Sequence, residues 1–173
     1  LAYMHSDLGG FGGREKFDPE LYTRWLQYGV FQPVFRPHAQ EHIAPEPVFH
    51  DEKTKSLARK SIELRYALLP YNYTLAFENS RSGQPLMKPL FFEEPENESL
   101  FNRVDSYYWG ENFLVRPILQ PGVKTVELKF PAANNWFDFY TDQKYQKGKS
   151  YNIPVQEDHI PVFVRGGGFI PMA

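Results

Sequence analysis

The chain has 173 residues, enough to bury a sizeable core in one domain or two small ones. Its 19 Lys and Arg against 21 Asp and Glu leave a net charge of −2, which argues against nucleic acid or an anionic membrane as partner. No cysteine is present, so disulfides and thiolate metal sites are excluded, and no apolar run is long enough to span a bilayer.

The first half alternates strand and helix signals. Leu1-Ala2-Tyr3-Met4 reads as the end of a strand and residues 7–13 as a glycine-rich loop. Asp18-Pro19-Glu20 predicts a helix start, because Asp caps free amides and Pro at the first helical position loses no hydrogen bond. Leu21, Tyr22, Trp25 and Leu26 form one apolar face, and Gly29 is placed to end the helix. Residues 30–36 predict a short apolar strand, although Pro33 does not suit a central one. After Ala44-Pro45-Glu46-Pro47 comes a second helix, capped by Asp51, carrying Leu57, Ile62, Leu64, Ala67 and Leu68, kinked by Pro70 and closed by Gly83.

Beyond Gly83 the pattern changes to short strands and turns. They are predicted over 85–92, 107–109, 113–115, 136–140, 151–155, 161–164 and 169–171. Another follows from Val126, Leu128 and Phe130 alternating with Glu127 and Lys129. Such spacing points to a sandwich. Two domains follow, 1–84 and 85–173. The aromatic share of 17% suits a packed β core and also a surface that stacks on sugars.

Several local motifs mislead. His38-Ala39-Gln40-Glu41-His42 matches an inverted zinc-protease signature, but it follows Pro37 and runs into Pro45, so no long helix can present both histidines to a metal. The glycines at 9–13 lack the Lys-Ser/Thr pair of a phosphate loop. Glu15 stands where a dinucleotide fingerprint needs its last glycine. Asn72-Tyr73-Thr74 and Asn97-Glu98-Ser99 are N-glycosylation sequons that matter only in a eukaryotic secretory protein.

Three longer stretches act together. Ser6-Asp7-Leu8-Gly9-Gly10-Phe11 is similar to the D-I-G-G-F loop of glycoside hydrolase family 31, the α-glucosidase and α-xylosidase family. Residues 21–29 with Pro33-Val34-Phe35-Arg36-Pro37-His38 resemble its R-W-x-Q-x-G…P-x-x-R-x-H segment. Residues 65–75 resemble its R-Y-x-L-L-P-Y-x-Y-T-L helix. Gly110-Glu111-Asn112-Phe113-Leu114-Val115, Trp136-Phe137-Asp138 and Ile160-Pro161-Val162-Phe163-Val164-Arg165-Gly166-Gly167 continue the likeness. Leu8 for the usual Ile and the extra Gly12-Gly13 are small departures.

The resemblance implies the last strand–helix units of a (β/α)8 TIM barrel, over 1–84, followed by an antiparallel β-sandwich, the proximal C-terminal domain, over 85–173. In such barrels working residues sit at the C-terminal ends of strands. It further implies a retaining enzyme with two catalytic carboxylates, neither of whose motifs is present, so no catalytic residue is expected in this chain and both belong upstream of Leu1. What remains is part of the sugar subsite. His38 matches the pocket histidine, and Phe11 matches the pocket aromatic, with core packing as its plainer reading. Asp7 matches the loop aspartate, holding an arginine or a hydroxyl or merely capping the turn. Arg36 fits an inward charge needing an acidic partner better than a direct sugar ligand.

The expected partner is an α-linked glucoside or oligosaccharide, most simply for an α-glucosidase, with no cofactor or metal implied, and the piece needs the rest of its barrel. The chain opens with no initiator Met or leader, so it reads as starting in mid-protein. Its compartment stays open, with a periplasmic or secreted setting favoured over a cytoplasmic one. The competing reading is a non-catalytic carbohydrate-binding or structural β-sandwich module that presents Trp109 and Trp136 to a glycan.

Overall fold

The structure, a computed structural model, describes residues 2–12 and 16–173. Leu1 of the expected strand, Gly13 of the glycine loop and Glu15, which breaks the dinucleotide fingerprint, lie outside the described residues. The chain divides into two compact units, Leu1–Gln84 with Pro171–Ala173, and Pro85–Ile170.

In the first unit two chain segments run side by side in the parallel sense. Leu8 bridges Pro37, the Leu8 amide donates to the Arg36 carbonyl at 3.3 Å, and the His38 amide donates to the Leu8 carbonyl at 3.2 Å. Among the described residues this short pairing is all the strand structure of the unit; residues 2–4 are irregular, against the strand expected over 1–4.

Helix α1, Pro19–Gly29, begins where Asp18 accepts from the Leu21 amide at 3.0 Å. Its Tyr22 and Leu26 bury against Leu8 and Ala58, with Phe17, Trp25 and Phe35 half-buried around them. Gly29 does not take the left-handed form of a helix-closing glycine. A Cβ there would lie 2.4 Å from Leu8 Cδ1, so close approach to the paired strand is what requires glycine.

The strand expected over 30–36 starts late. The amides of Phe31 and Gln32 still donate back to Tyr28 and Gly29, so the chain keeps turning to Pro33 and extends only beyond it.

Helix α2, Glu52–Ala67, is capped by Asp51, which accepts from the Thr54 amide at 3.0 Å and its hydroxyl at 2.7 Å. Its buried positions are small, Thr54, Ala58 and Ser61, while Leu57, Ile62 and Leu64 are half-buried. Helix α3, Leu69–Ser82, follows directly, and Gly83 closes it at φ 76°. The expected kink is a break at Leu68 (ψ 3°), two residues before Pro70, whose ring and missing amide suit the first turn of a new helix.

The second unit is antiparallel throughout. A six-stranded sheet runs β1 (Met87–Pro89), β2 (Tyr107–Trp109), β3 (Phe113–Val115), β8 (Val162–Arg165), β5 (Trp136–Asp138), β6 (Lys144–Tyr145). A two-stranded sheet pairs β4 (Thr125–Lys129) with β7 (Ser150–Pro154). One face of the larger sheet carries Tyr108, Leu114, Phe163 and Trp136 against Leu128, Phe130 and Ile153. Phe130 is the hub, its ring 4.9 Å from Tyr145 and 4.8 Å from Phe163. Trp109, Phe113, Val115 and Val162 are also fully buried, which is why β2, β3 and β8 read as unbroken apolar runs rather than alternating ones.

Three sequence expectations change here. The first strand shrinks to Met87–Pro89 and passes into a 3-10 turn at Leu90–Phe92. Residues 169–171 are irregular, with Phe169 79% exposed. The two tryptophans proposed as glycan platforms are 0% and 1% exposed, so neither can stack on a sugar. Among the described residues no helix is long and apolar enough to cross a membrane.

Candidate functional site

The residues singled out in the first unit lie where the two paired segments end. Gly9 and Gly10 have φ of 106° and 92°, a conformation that strains any other residue. A Cβ on Gly9 would lie 2.7 Å from the Tyr22 ring. The two glycines turn the chain over α1, and the Gln40 amide then donates to the Phe11 carbonyl at 2.9 Å. Phe11 is thereby set beside His38, ring centroids 5.3 Å apart and tilted by 43°. Phe11 is 37% exposed, outside the buried core, and His38 is half-buried.

Asp7 and Arg36 come together more loosely. Arg36 Nη1 lies 3.9 Å from Asp7 Oδ1, and His5 Nδ1 lies 3.4 Å from the same oxygen. Asp7 thus has an imidazole and a guanidinium beside it, and Arg36 stays more than half exposed. Thus four chosen residues form two contacts, Phe11 with His38 and Asp7 with Arg36, on adjacent segments. His38 and His42 share no helix, because residues 38–40 are irregular and 41–42 form a turn.

Behind this surface lies a polar scaffold that sequence reasoning left without roles. Gln32 Nε2 donates to Ser6 Oγ at 3.1 Å, and Trp25 Nε1 donates to the same hydroxyl at 3.3 Å. Arg65, in the last turn of α2, donates to the carbonyls of Val30 at 2.8 Å, Gln32 at 2.6 Å and Pro33 at 2.9 Å. Burial lowers its pKa, from a value so high that the guanidinium stays charged. The signal available in sequence was that Arg65 opens a quoted motif, but a cation in a helix's last turn already has a local explanation. His5 gave no signal at all.

A cavity of about 300 Å³ opens on the α1 side of Phe11, bounded also by Phe17, Leu21, Trp25, Gln40 and Ile43. At its edge Phe17 stacks on His50 at 3.8 Å, and burial lowers the His50 pKa, so the neutral ring is favoured.

Comparison with known proteins gives a consistent result. A family described as "Glycosyl hydrolase family 31 C-terminal domain" matches residues 83–170, and "Glycosyl hydrolases family 31 TIM-barrel domain" matches residues 1–75. A probable glucan 1,3-alpha-glucosidase of Oryza sativa subsp. japonica is 37% identical over 99% of the chain and 18% of its own length. Neutral alpha-glucosidase C of Homo sapiens is 38% identical over 99% of the chain and 19% of its own length. The crystal structure of a GH31 alpha-xylosidase from a soil metagenome, complexed with xylose, superposes with a TM-score of 0.87 at 28% identity. It is matched over 95% of this chain and 28% of its own. The chain thus spans about a fifth of the length of the curated relatives it matches.

Proposed function

The chain belongs to glycosyl hydrolase family 31, and from that premise we propose that it is the tail of a retaining α-glycoside hydrolase, an α-glucosidase, supplying part of its sugar pocket. Residues 1–84 would end the catalytic barrel and 85–173 form the β-domain that supports it. The observation that carries this reading is the parallel pairing of Leu8 with Pro37, which sets Phe11 and His38 side by side at the strand ends.

Chemically, Phe11 offers an apolar wall to the C–H face of a sugar ring. His38 exchanges a hydrogen bond with a ring hydroxyl. Such a bond tightens as positive charge builds on the anomeric carbon, so it lowers the barrier and not only the binding energy. Asp7 and Arg36 hold one another and fix the rim of the pocket rather than touch the reacting atoms.

A retaining mechanism needs two carboxylates about 5 Å apart. Asp7 has His5 and Arg36 beside it instead, so the nucleophile and the acid/base come from earlier barrel strands. The names of the rice and human relatives support glucosides as substrates, while the xylosidase keeps xylosides as the alternative.

The test is proton NMR of the whole protein acting on maltose and on an aryl α-xyloside. The expected product is the α-anomer of glucose, formed first and mutarotating later, with chain 1–173 alone inactive. A β-anomer formed first, or turnover by chain 1–173 alone, refutes the reading.

A further inference from the structure

We propose that Arg65 is a positioning residue for the pocket, a guanidinium clamp that sets where the strand end bearing Arg36 and His38 begins. The proposal rests on the reading of His38 as a sugar contact.

The clamp is built from three carbonyls in four residues. Arg65 Nη1 takes Val30 and Gln32, and Nη2 takes Pro33. Val30 caps α1, so its carbonyl is one that the helix cannot satisfy itself. The last turn of α1 holds no basic residue, and the cation that faces this carbonyl end comes from α2. The Pro33 carbonyl, where the turn ends, takes its partner from Arg65 Nη2.

The same segment is tied on its other side. The Gln32 side chain reaches Ser6, one residue before Asp7. The guanidinium therefore ties the turn entering the second strand end to α2, and the Gln32 amide ties it to the segment before Asp7. His38 lies five residues beyond Pro33, along an extended run of about 3.3 Å per residue whose next fixed point is the bridge at Pro37. The clamp and the bridge are thus the two anchors of this run, and together they set where His38 stands.

Only arginine meets this geometry. Its planar fork spreads donors over three directions, whereas a lysine ammonium is one compact point. Arg65→Lys keeps the charge and loses the fork.

The experiment is a double-mutant cycle in the whole protein with Arg65→Lys and His38→Ala, reading kcat and KM on an aryl α-glucoside together with the melting temperature. Arg65→Lys is expected to lower kcat/KM about tenfold, mostly through kcat, because the hydrogen bond it positions strengthens in the transition state. In the His38→Ala background the same change should cost less than about threefold. Equal losses in both backgrounds, or a lowered melting temperature with unchanged kcat/KM, overturn the proposal and leave the pocket reading standing. An unchanged kcat/KM in His38→Ala alone overturns both. Should Arg65→Lys not fold, Gln32→Met replaces it, loosening the same segment with the guanidinium in place. It should show the same dependence on His38, and independence from His38 overturns the clamp.

Discussion

The two units hold themselves together by different means. In residues 85–170 a single cluster of ten buried residues, rich in rings around Phe130, fills the space between two sheets. In the first unit one cluster joins Leu8, Tyr22, Leu26 and Ala58, and Val30, Phe31, Leu68, Tyr71 and Leu75 are buried besides. There polar contacts add to the burial: the Arg65 fork, the Ser6–Gln32–Trp25 group and a few backbone bonds between segments. Meanwhile α3 leaves Leu69, Tyr73 and Phe77 exposed along one stripe, and α2 leaves Tyr66 exposed. The difference teaches where function and stability reside. The unit that carries the proposed pocket is the one whose helices leave large apolar side chains exposed.

The sharpest way to break this contrast is to separate the pieces. Residues 85–173 alone should melt cooperatively, whereas residues 1–84 alone should aggregate or stay molten, losing their tertiary structure entirely. Calorimetry and near-UV circular dichroism decide it, and a sharp melt for 1–84 would remove the contrast.

Within the second unit, Trp136→Ala should cost about 3–5 kcal/mol in denaturant unfolding of 85–173, as expected for a fully buried ring. A loss near 1 kcal/mol would mean that the sheet interior collapses around the gap.

The Lys88–Glu93–Arg165 group, in which only Lys88 is buried, gives a pH dependence. Lys88 Nζ lies 2.7 Å and Arg165 Nη2 3.3 Å from the Glu93 carboxylate. Burial pushes the Glu93 pKa up, but the two cations outweigh it and hold it below the ordinary value. A carboxylate depressed on folding stabilises the folded state above its unfolded pKa, and that stabilisation fades as pH falls through the lower folded value. Residues 85–173 should therefore lose stability as pH drops below about 4.5. Glu93→Gln should flatten that acid limb while lowering stability at pH 7; an unchanged limb would contradict the assignment.

The smallest effect belongs to a helix end. Asp51→Ala removes two cap bonds from α2 and should cost the whole protein about 1 kcal/mol. No change would indicate that water replaces them.

Sequence patterns reached the elements that are locally determined. Asp18-Pro19, Asp51 and Gly83 carry their own reasons for starting or stopping a helix, and the structure uses all three. The hairpin around Gly110 was legible for the same reason, since its turn and both apolar runs are contiguous. What escaped was set by distant contacts. Residues 30–33 are apolar enough for a strand, yet carbonyls gripped by Arg65 from α2 keep them turned. Gly29 does end α1 as expected, but the close approach to Leu8 that requires glycine there had no sequence signal. β6 has two residues, too few to show any period. Trp109 and Trp136 sit in strands whose apolar runs carry no alternation to tell an inner face from an outer one. At the candidate site the motif brought Asp7, Phe11, Arg36 and His38 to notice, but their supporting arginine had to be found through its carbonyl partners.

The most direct measurement is kcat/KM of the whole protein carrying His38→Ala, on an aryl α-glucoside, beside its melting temperature. Loss of one well-placed hydrogen bond predicts a fall of about ten- to a hundredfold with an unchanged melt. Wild-type kcat/KM in that variant would contradict the placement of the pocket in this chain.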